Sequence, residues 1–199
     1  MRAFVGIGLP AACRDAIGAA LAPLRAGRSR VAWTPDRNLH LTLKFLGEID
    51  GGRVAGLAAL MADAARDVPP FDLVAQGAGG FPSLRAPRVL WVGIREPLEL
   101  VGKLQQNMET AFAGAGFPPE DRPFHPHVTV GRVRGVLPPG WGEAFRAAFA
   151  GARLRPVPVA SYQLYESRLS PGGADYTVLH DVPFGGIAVD GQAREERDR

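Results

Sequence analysis

The spacing of apolar residues in the first third of the chain predicts an alternation of strands and helices. Residues 3–9 form an apolar run that predicts a strand ending at Pro10, and apolar residues at helical spacing follow over 11–24. Two short strands are predicted at 31–33 and 40–45, and they are followed by an amphipathic helix at 54–65. The chain therefore opens as a strand–helix–strand–strand–helix set.

The rest of the chain predicts a second series of the same kind. Its expected elements are strands at residues 71–75, 88–94, 128–133, 157–165 and 176–182, with helices at 98–112 and 141–149. The glycine-rich segment 77–80 predicts a break between the first two of these strands. Because several strands follow one another over short turns, antiparallel pairing is favoured, and the predicted class is α+β.

Composition narrows the kind of protein without identifying it. A hydrophobic share of 46% and a charged share of 22% are those of a globular chain and exclude a largely disordered one. We expect residues 1–184 to form one domain with two lobes, and the polar segment 185–199 to be a flexible C-terminal tail.

Charge and cysteine content set further limits. The net charge of +3 permits an anionic ligand but is too small to indicate nucleic acid by itself. A single cysteine, Cys13, allows neither an intramolecular disulfide nor a multi-cysteine metal site, which favours a reducing compartment such as the cytoplasm. No stretch approaches the length of about 20 apolar residues that a membrane span needs. We expect a cytoplasmic monomer with no membrane contact.

The most informative feature is a short repeat. Residues 40–43 read His-Leu-Thr-Leu and residues 127–130 read His-Val-Thr-Val. Side chains two apart on a strand share a face, so each copy presents an imidazole beside a hydroxyl while its aliphatic residues pack on the other face. Two such strands facing one groove would surround a single small anion with two imidazoles and two hydroxyls.

That set of groups suits a phosphodiester. Histidine titrates near neutrality, so His40 and His127 can act as a pair, one neutral ring serving as base and one protonated ring as acid. Hydrolysis of a cyclic phosphate needs both, a base for the attacking water and an acid for the departing ribose oxygen. The hydroxyls of Thr42 and Thr129 can donate hydrogen bonds to the non-bridging oxygens, where negative charge must be stabilised.

Other interpretations of the histidines are weaker. One His-x-Thr alone is most often an ordinary half-exposed strand histidine, but the second copy in a matching apolar frame reverses that expectation. A zinc site would lack the additional ligands that it needs, and we expect no metal and no cofactor. His125 precedes the second copy, but Thr129 stands where a histidine triad would need a third histidine, so we expect His125 to flank the site and His180 to be structural.

Five residues after each histidine the two copies differ. Phe45 follows the first and Arg132 the second, and they suit stacking on a base and pairing with phosphate. An odd spacing puts both on the far side of a regular strand, so each strand must end or bend there. Lys44, at even spacing, is expected to line the groove beside His40. Further arginines flank the two motifs and are candidates for guiding an RNA backbone, namely Arg37, Arg122 and Arg134.

At these residues the sequence resembles the two-histidine (2H) phosphoesterase superfamily, in particular its RNA 2',3'-cyclic phosphodiesterase branch, the LigT-like proteins formerly called 2'-5' RNA ligases. The resemblance spans nearly the whole chain. It is carried by residues 38–48 (NLHLTLKFLGE), residues 123–132 (PFHPHVTVGR) and the segments 2–7 and 166–176. His125 is a departure, because relatives often carry arginine or another residue there.

The resemblance implies a bilobal, pseudo-two-fold α+β fold, with two mainly antiparallel sheets facing a central cleft and helices outside. It implies that His40 protonates the leaving ribose oxygen and His127 activates water, leaving a 2'-phosphate on RNA. Thr42 and Thr129 would hold the phosphate, Arg132 would assist, and Phe45 would stack on the terminal base. No metal or organic cofactor is implied.

Two other functions use the same groups. The groove could bind a nucleotide or RNA end without turnover, or it could run the reverse reaction and join RNA ends through a 2'-5' linkage. Family membership would fix phosphoester chemistry better than the natural substrate.

Overall fold

The computed structural model describes residues 1–27, 30–150, 154–170 and 173–186. Its strands are β1 (Arg2–Gly8), β2 (Val31–Trp33), β3 (His40–Glu48), β4 (Phe71–Phe81), β5 (Val89–Glu96), β6 (His127–Val133), β7 (Val157–Val159), β8 (Ser161–Ser170) and β9 (Gly173–Pro183). Its α-helices are α1 (Ala11–Ala26), α2 (Val54–Ala65), α3 (Leu98–Gly114) and α4 (Trp141–Ala150). The predicted tail lies outside the described residues from 187 onward.

The helices form where the sequence repeats apolar residues at intervals of three and four. On α3 the buried positions are Val101, Leu104, Met108 and Phe112, which make one apolar stripe along the helix. On α1 they are Cys13, Ile17 and Leu21. Helix α3 packs against β3 and β5, and α4 packs against β4 and α1. One side of the sheet is therefore covered by helices.

The strands form one antiparallel sheet with internal symmetry. Its order is β7-β4-β5-β6-β3-β1-β8-β9, with β2 added beside β6. Leu41 faces Val128 at the junction of β6 and β3, and outward from this pair each half contributes four strands. Each His-x-Thr copy thus begins an innermost strand of its half, which places the two copies side by side at the centre of the sheet.

The α+β class and the antiparallel pairing predicted from the sequence are confirmed. One boundary prediction was wrong: the glycine-rich segment does not interrupt β4 but lies within it. A Cβ on Gly79 would fall 2.1 Å from the ring of Trp91, so glycine leaves room for an indole lying across the strand. Gly77, with φ +76, sits where the pairing of β4 with β5 shifts register.

A second boundary prediction was also wrong, because residues 157–165 form two strands. Strand β7 pairs with β4 in one half of the sheet, whereas β8 pairs with β1 in the other half. The chain crosses between halves at Ala160, whose carbonyl accepts a hydrogen bond from the Phe184 N–H at 2.8 Å. A continuous apolar pattern cannot reveal that its two ends belong to different halves.

Candidate active site

The two histidines flank the central pair of the sheet. Leu41 and Val128 are fully buried on the helix-covered face, so the residues on either side of them point to the opposite face. On that face lie His40, Thr42, His127 and Thr129, all half-buried. Adjacent strands run about 4.8 Å apart, so these side chains leave the backbone within one small patch. The patch lies on the face of the sheet opposite the helices, and we call the surface around it the cleft.

Both imidazole rings are held in the same way. The Nδ1 of His40 lies 2.7 Å from the carbonyl oxygen of Asn38, and the Nδ1 of His127 lies 2.6 Å from the carbonyl oxygen of His125. A carbonyl can only accept, so each Nδ1 carries the proton and donates it. Each Nε2 is therefore left to exchange protons. The Nε2 of His40 lies 3.0 Å from the hydroxyl of Thr42.

The bond between His40 and Asn38 is itself supported by a strand at the edge of the sheet. Asn38 is buried, and its side-chain amide donates to the carbonyl oxygen of Ala174 on β9 at 2.5 Å. Arg37 forms an ion pair with Asp175 at 3.3 Å. The segment that orients the first imidazole is thus anchored to a strand more than 130 residues away in the sequence.

The surroundings lower the pKa of both histidines below the ordinary value of 6.5. Desolvation by burial is the largest cause in each case and favours the neutral ring. The hydrogen bonds to the Asn38 and His125 carbonyls act in the opposite direction. The charge of His127 further lowers the pKa of His40, so the two rings are close enough to interact electrostatically.

Strand irregularities turn Phe45 and Arg132 toward the cleft. In the pairing of β1 with β3, Val5 faces Lys44 but the next residue, Gly6, faces Thr42. In the pairing of β5 with β6, Leu90 faces Gly131 but the next residue, Trp91, faces Thr129. One residue is thus skipped on each motif strand at the same distance from its histidine. An extra residue inverts the alternation, so the fifth residue after each histidine shares its face. The bend predicted from the odd spacing is confirmed in both copies.

Phe45 and Arg132 are accordingly on the surface rather than in the core. Phe45 is 59% exposed, and its ring centroid lies 6.2 Å from that of Phe4, which in turn lies 4.7 Å from His40. Arg132 is also exposed. Both are therefore accessible to a ligand in the cleft.

The expectation that Lys44 lines the groove was wrong. The same irregularity that exposes Phe45 turns Lys44 inward, where only 2% of it is exposed. Its Nζ donates to Glu109 on α3 at 2.7 Å and to the carbonyl oxygen of Pro118 at 3.0 Å. Lys44 therefore ties the motif strand to the helix layer.

Aromatic side chains that sequence reasoning did not select surround both histidines. Around His40 the ring centroids of Phe4, Tyr176 and Tyr165 lie at 4.7, 5.2 and 6.1 Å. Around His127 those of Phe81 and Trp91 lie at 5.0 and 6.2 Å. These aromatic residues reach the site through strand pairings between distant segments. The only indication of them in the sequence was that all but Phe81 lie in a predicted strand. They supply the apolar surface that desolvates the imidazoles.

His125 is placed as predicted from the sequence, and His180 lies away from the site. His125 flanks the site, since its carbonyl orients His127 and its ring lies 4.9 Å from Trp91. His180 is exposed on β9, opposite Leu164, and outside both motifs. Arg122 is exposed before the second motif, and no ion pair involves it within the described chain.

One cavity adjoins the first motif histidine, and another lies beyond the end of β6. The smaller, about 210 Å³, is bounded by His40 together with Gly8, Arg14, Arg37, Asn38, Leu39, Tyr165, Tyr176 and Val178. The larger, about 490 Å³, lies between residues 84–87 and 133–143 and touches neither motif histidine. The smaller is part of the candidate site by its contact with His40.

In the portion of the chain that the structure describes, no group of three or more histidine, cysteine or acidic side chains is arranged to hold a metal ion. None of the described helices is long and apolar enough to cross a membrane.

A model of one protein family matches the chain twice. The LigT like phosphoesterase model covers residues 7–91 and again residues 92–175. Each match contains one His-x-Thr copy, and the boundary between the matches falls within β5. The two matches correspond to the repeat found in the sequence.

Curated relatives match over most of their own length. The chain is 32% identical over 177 residues to the RNA 2',3'-cyclic phosphodiesterase of Methanothermobacter thermautotrophicus, covering 89% of this chain and 95% of the relative. It is 34% identical over 185 residues to the enzyme of the same name from Escherichia coli, covering 89% and 93%.

Solved structures agree with these matches. Escherichia coli LigT complexed with 3'-AMP superposes with a TM-score of 0.74 at 30% identity, covering 92% of this chain and 97% of that one. A Thermus thermophilus protein superposes with a TM-score of 0.72 at 31% identity, covering 94% and 99%.

Proposed function

The chain belongs to the LigT like phosphoesterase family, and we propose that it opens 2',3'-cyclic phosphates on RNA ends to give 2'-phosphomonoesters. The observation that carries the proposal is the pair of imidazoles on the cleft floor, each with Nδ1 bonded to a carbonyl, so that each Nε2 is the nitrogen that exchanges protons. Curated relatives named RNA 2',3'-cyclic phosphodiesterase support this substrate class.

The reaction divides into two proton transfers. One neutral imidazole takes a proton from water through Nε2, and the water oxygen forms a bond to phosphorus. The bond from phosphorus to the 3' oxygen breaks, and the other imidazole, in its protonated form, gives that oxygen a proton. Following the family resemblance, we assign the base to His127 and the acid to His40. In the free protein the charge of His127 lowers the pKa of His40, so the acid role of His40 requires bound phosphate to favour its charged form.

The neighbouring side chains provide binding. The hydroxyls of Thr42 and Thr129 and the guanidinium of Arg132 donate to the non-bridging oxygens, where charge grows in the transition state. The exposed ring of Phe45 offers a stacking surface for the terminal base. Because the two imidazoles supply the base and the acid and these donors bind the non-bridging oxygens, the proposed reaction needs no metal, and a chelator should leave the rate unchanged.

Product analysis tests the proposal. Purified protein in excess chelator is mixed with an RNA that ends in a 2',3'-cyclic phosphate, and the expected product carries a 2'-phosphate. A 3'-phosphate, a 2'-5' ligated product or bound but intact RNA would each contradict the proposed reaction. Loss of turnover on chelation would contradict metal independence.

Alanine variants test the roles of the two rings. His40→Ala and His127→Ala should each lower kcat by at least about two to four orders of magnitude, since each removes a proton-transfer group. His180→Ala is the matched control, because it removes an exposed imidazole outside the cleft and should keep full activity. A motif variant that keeps more than about a tenth of the wild-type rate would refute the assigned role. The cytoplasmic location and monomeric state stay predictions.

A further inference from the structure

Three arginines lie side by side at the end of the second motif strand. Arg132 lies in β6 and Arg134 follows the last residue of that strand, and both side chains are exposed. Arg30 precedes β2, whose Val31 faces Val133. The next pair outward is Arg30 with Arg134, and the Arg134 N–H donates to the Arg30 carbonyl oxygen at 2.6 Å. We call these residues the arginine face.

The arginine face has no carboxylate partner within the described chain. Other arginines do form ion pairs there, for example Arg25 with Asp36 and Arg168 with Glu166. Arg30 and Arg134 are joined by a backbone hydrogen bond and are both exposed, so an anionic ligand could contact the two side chains.

A glycine shapes this surface. A Cβ on Gly135 would lie 2.5 Å from the Cδ of Arg30 and 3.4 Å from one of its terminal nitrogens, so the Arg30 side chain lies over a residue without a side chain. Beyond Gly135 the surface opens into the larger cavity, whose walls include Arg85 and Trp141. A cation and an aromatic ring thus continue the surface away from the cleft.

The other end of the arginine face reaches the candidate active site. Burial raises the pKa of the Tyr176 phenol, and the charge of Arg132 opposes this rise, so Arg132 acts across the cleft on a ring that packs against His40. The opposite half carries Phe45 at the position equivalent to Arg132. One exit of the cleft is therefore aromatic and the other is cationic.

We infer that the arginine face binds the phosphates on the 5' side of the reacting nucleotide, with Arg30 and Arg134 contacting backbone that a cyclic mononucleotide lacks. This inference rests on the proposed function. RNA is the occupant that fits, because the face begins at the proposed phosphate site and continues from it through two more exposed arginines. Such contacts read the backbone rather than the bases, so they select for chain length and not for sequence.

A binding experiment with unreactive ligands tests the inference. The probes are 3'-AMP and an eight-nucleotide RNA that ends in a 3'-phosphate, measured against wild-type protein and the double variant Arg30→Ser/Arg134→Ser. The variant should lose at least about tenfold affinity for the octanucleotide, while its affinity for 3'-AMP changes less than about twofold. The slope of log Kd against log salt should become shallower by about 1.4, from about 0.7 for each lost contact with a single strand.

A matched control separates these contacts from net charge. Arg146→Ser/Arg155→Ser removes two exposed arginines, one on α4 and one before the edge strand β7, and should bind both probes as the wild type does. Equal losses in both double variants, equal losses for both probes, or no loss at all would overturn the inference. A wild-type protein that binds the octanucleotide in this way but leaves cyclic-ended RNA intact would refute the proposed function and leave the arginine face standing.

Discussion

At the scale of single residues, burial decides how the two histidines behave. Each ring is desolvated by aromatic neighbours and bonded through Nδ1 to a carbonyl, so the free protein holds both mainly neutral near pH 7. An anionic phosphate between the rings would favour their charged forms. Substrate binding would therefore help to create the acid that the reaction needs.

This arrangement predicts the pH dependence of turnover. A lowered pKa means that each ring takes up its proton only as the pH falls below 6.5. Since the reaction needs one neutral and one protonated ring, the bell-shaped profile of kcat/KM, which reports the free protein, should have its maximum below pH 6.5. The profile of kcat should lie at higher pH, because bound phosphate raises the pKa of both rings.

Rates on a 2',3'-cyclic mononucleotide from pH 4.5 to 9 would measure both profiles. A kcat/KM maximum above pH 7.5, or a kcat profile at lower pH than that of kcat/KM, would contradict the proposed electrostatics. His180→Ala serves as the control and should reproduce both curves.

At the scale of elements, an irregularity in each motif strand places the fifth residue after the histidine on the same face as the histidine. The sequence was sufficient to predict that the strands bend before Phe45 and Arg132, because both residues stand at odd spacing from a histidine. It was insufficient for Lys44, whose even spacing placed it wrongly in the groove. The position of the skipped residue depends on the register with β1, and that register is set by contacts between distant segments.

The buried ion pair between Lys44 on β3 and Glu109 on α3 allows the link between this strand and the helix layer to be tested by its effect on stability. Glu109→Gln leaves the Lys44 ammonium, whose side chain is 1% exposed, without its carboxylate. Loss of one partner of a buried pair typically destabilises by about 3–5 kcal/mol. We expect the free energy of unfolding, measured by urea denaturation at pH 7, to fall by about 3 kcal/mol.

The double variant Lys44→Met/Glu109→Gln provides the comparison. Removing both charges should restore most of the lost stability, since an unpaired buried ammonium is then absent. If Glu109→Gln alone changes stability by less than about 1 kcal/mol, Lys44 does not depend on this ion pair.

At the scale of the whole molecule, the repeat explains most of what the sequence could predict. Two His-x-Thr copies in matching frames predicted two strands facing one groove, and the family resemblance implied two related halves around a shared cleft. Their aromatic surroundings could not be predicted, because Phe4, Tyr165 and Tyr176 meet at His40 only through the pairing of β1 with β3 and β8 and of β8 with β9. Local sequence carries little information about such pairings.

The departures from symmetry give the cleft a direction. Equivalent positions hold Phe45 in one half and Arg132 in the other, and the second is followed by Arg134 beside Arg30. A ligand with a base at one end and a phosphate chain at the other fits this polarity in one orientation. The repeat would thus supply the reaction centre, and the differences between its copies would orient the substrate.

The central claim is that both imidazoles grip one phosphate group, and a nitrogen NMR titration of the labelled histidines tests it most directly. With 3'-AMP added at pH 6.5, the Nε2 signals of His40 and His127 should move together, reach saturation at one equivalent and indicate protonation, while His180 stays unchanged. Movement of only one motif histidine, or saturation of the two at different ligand concentrations, would contradict the account.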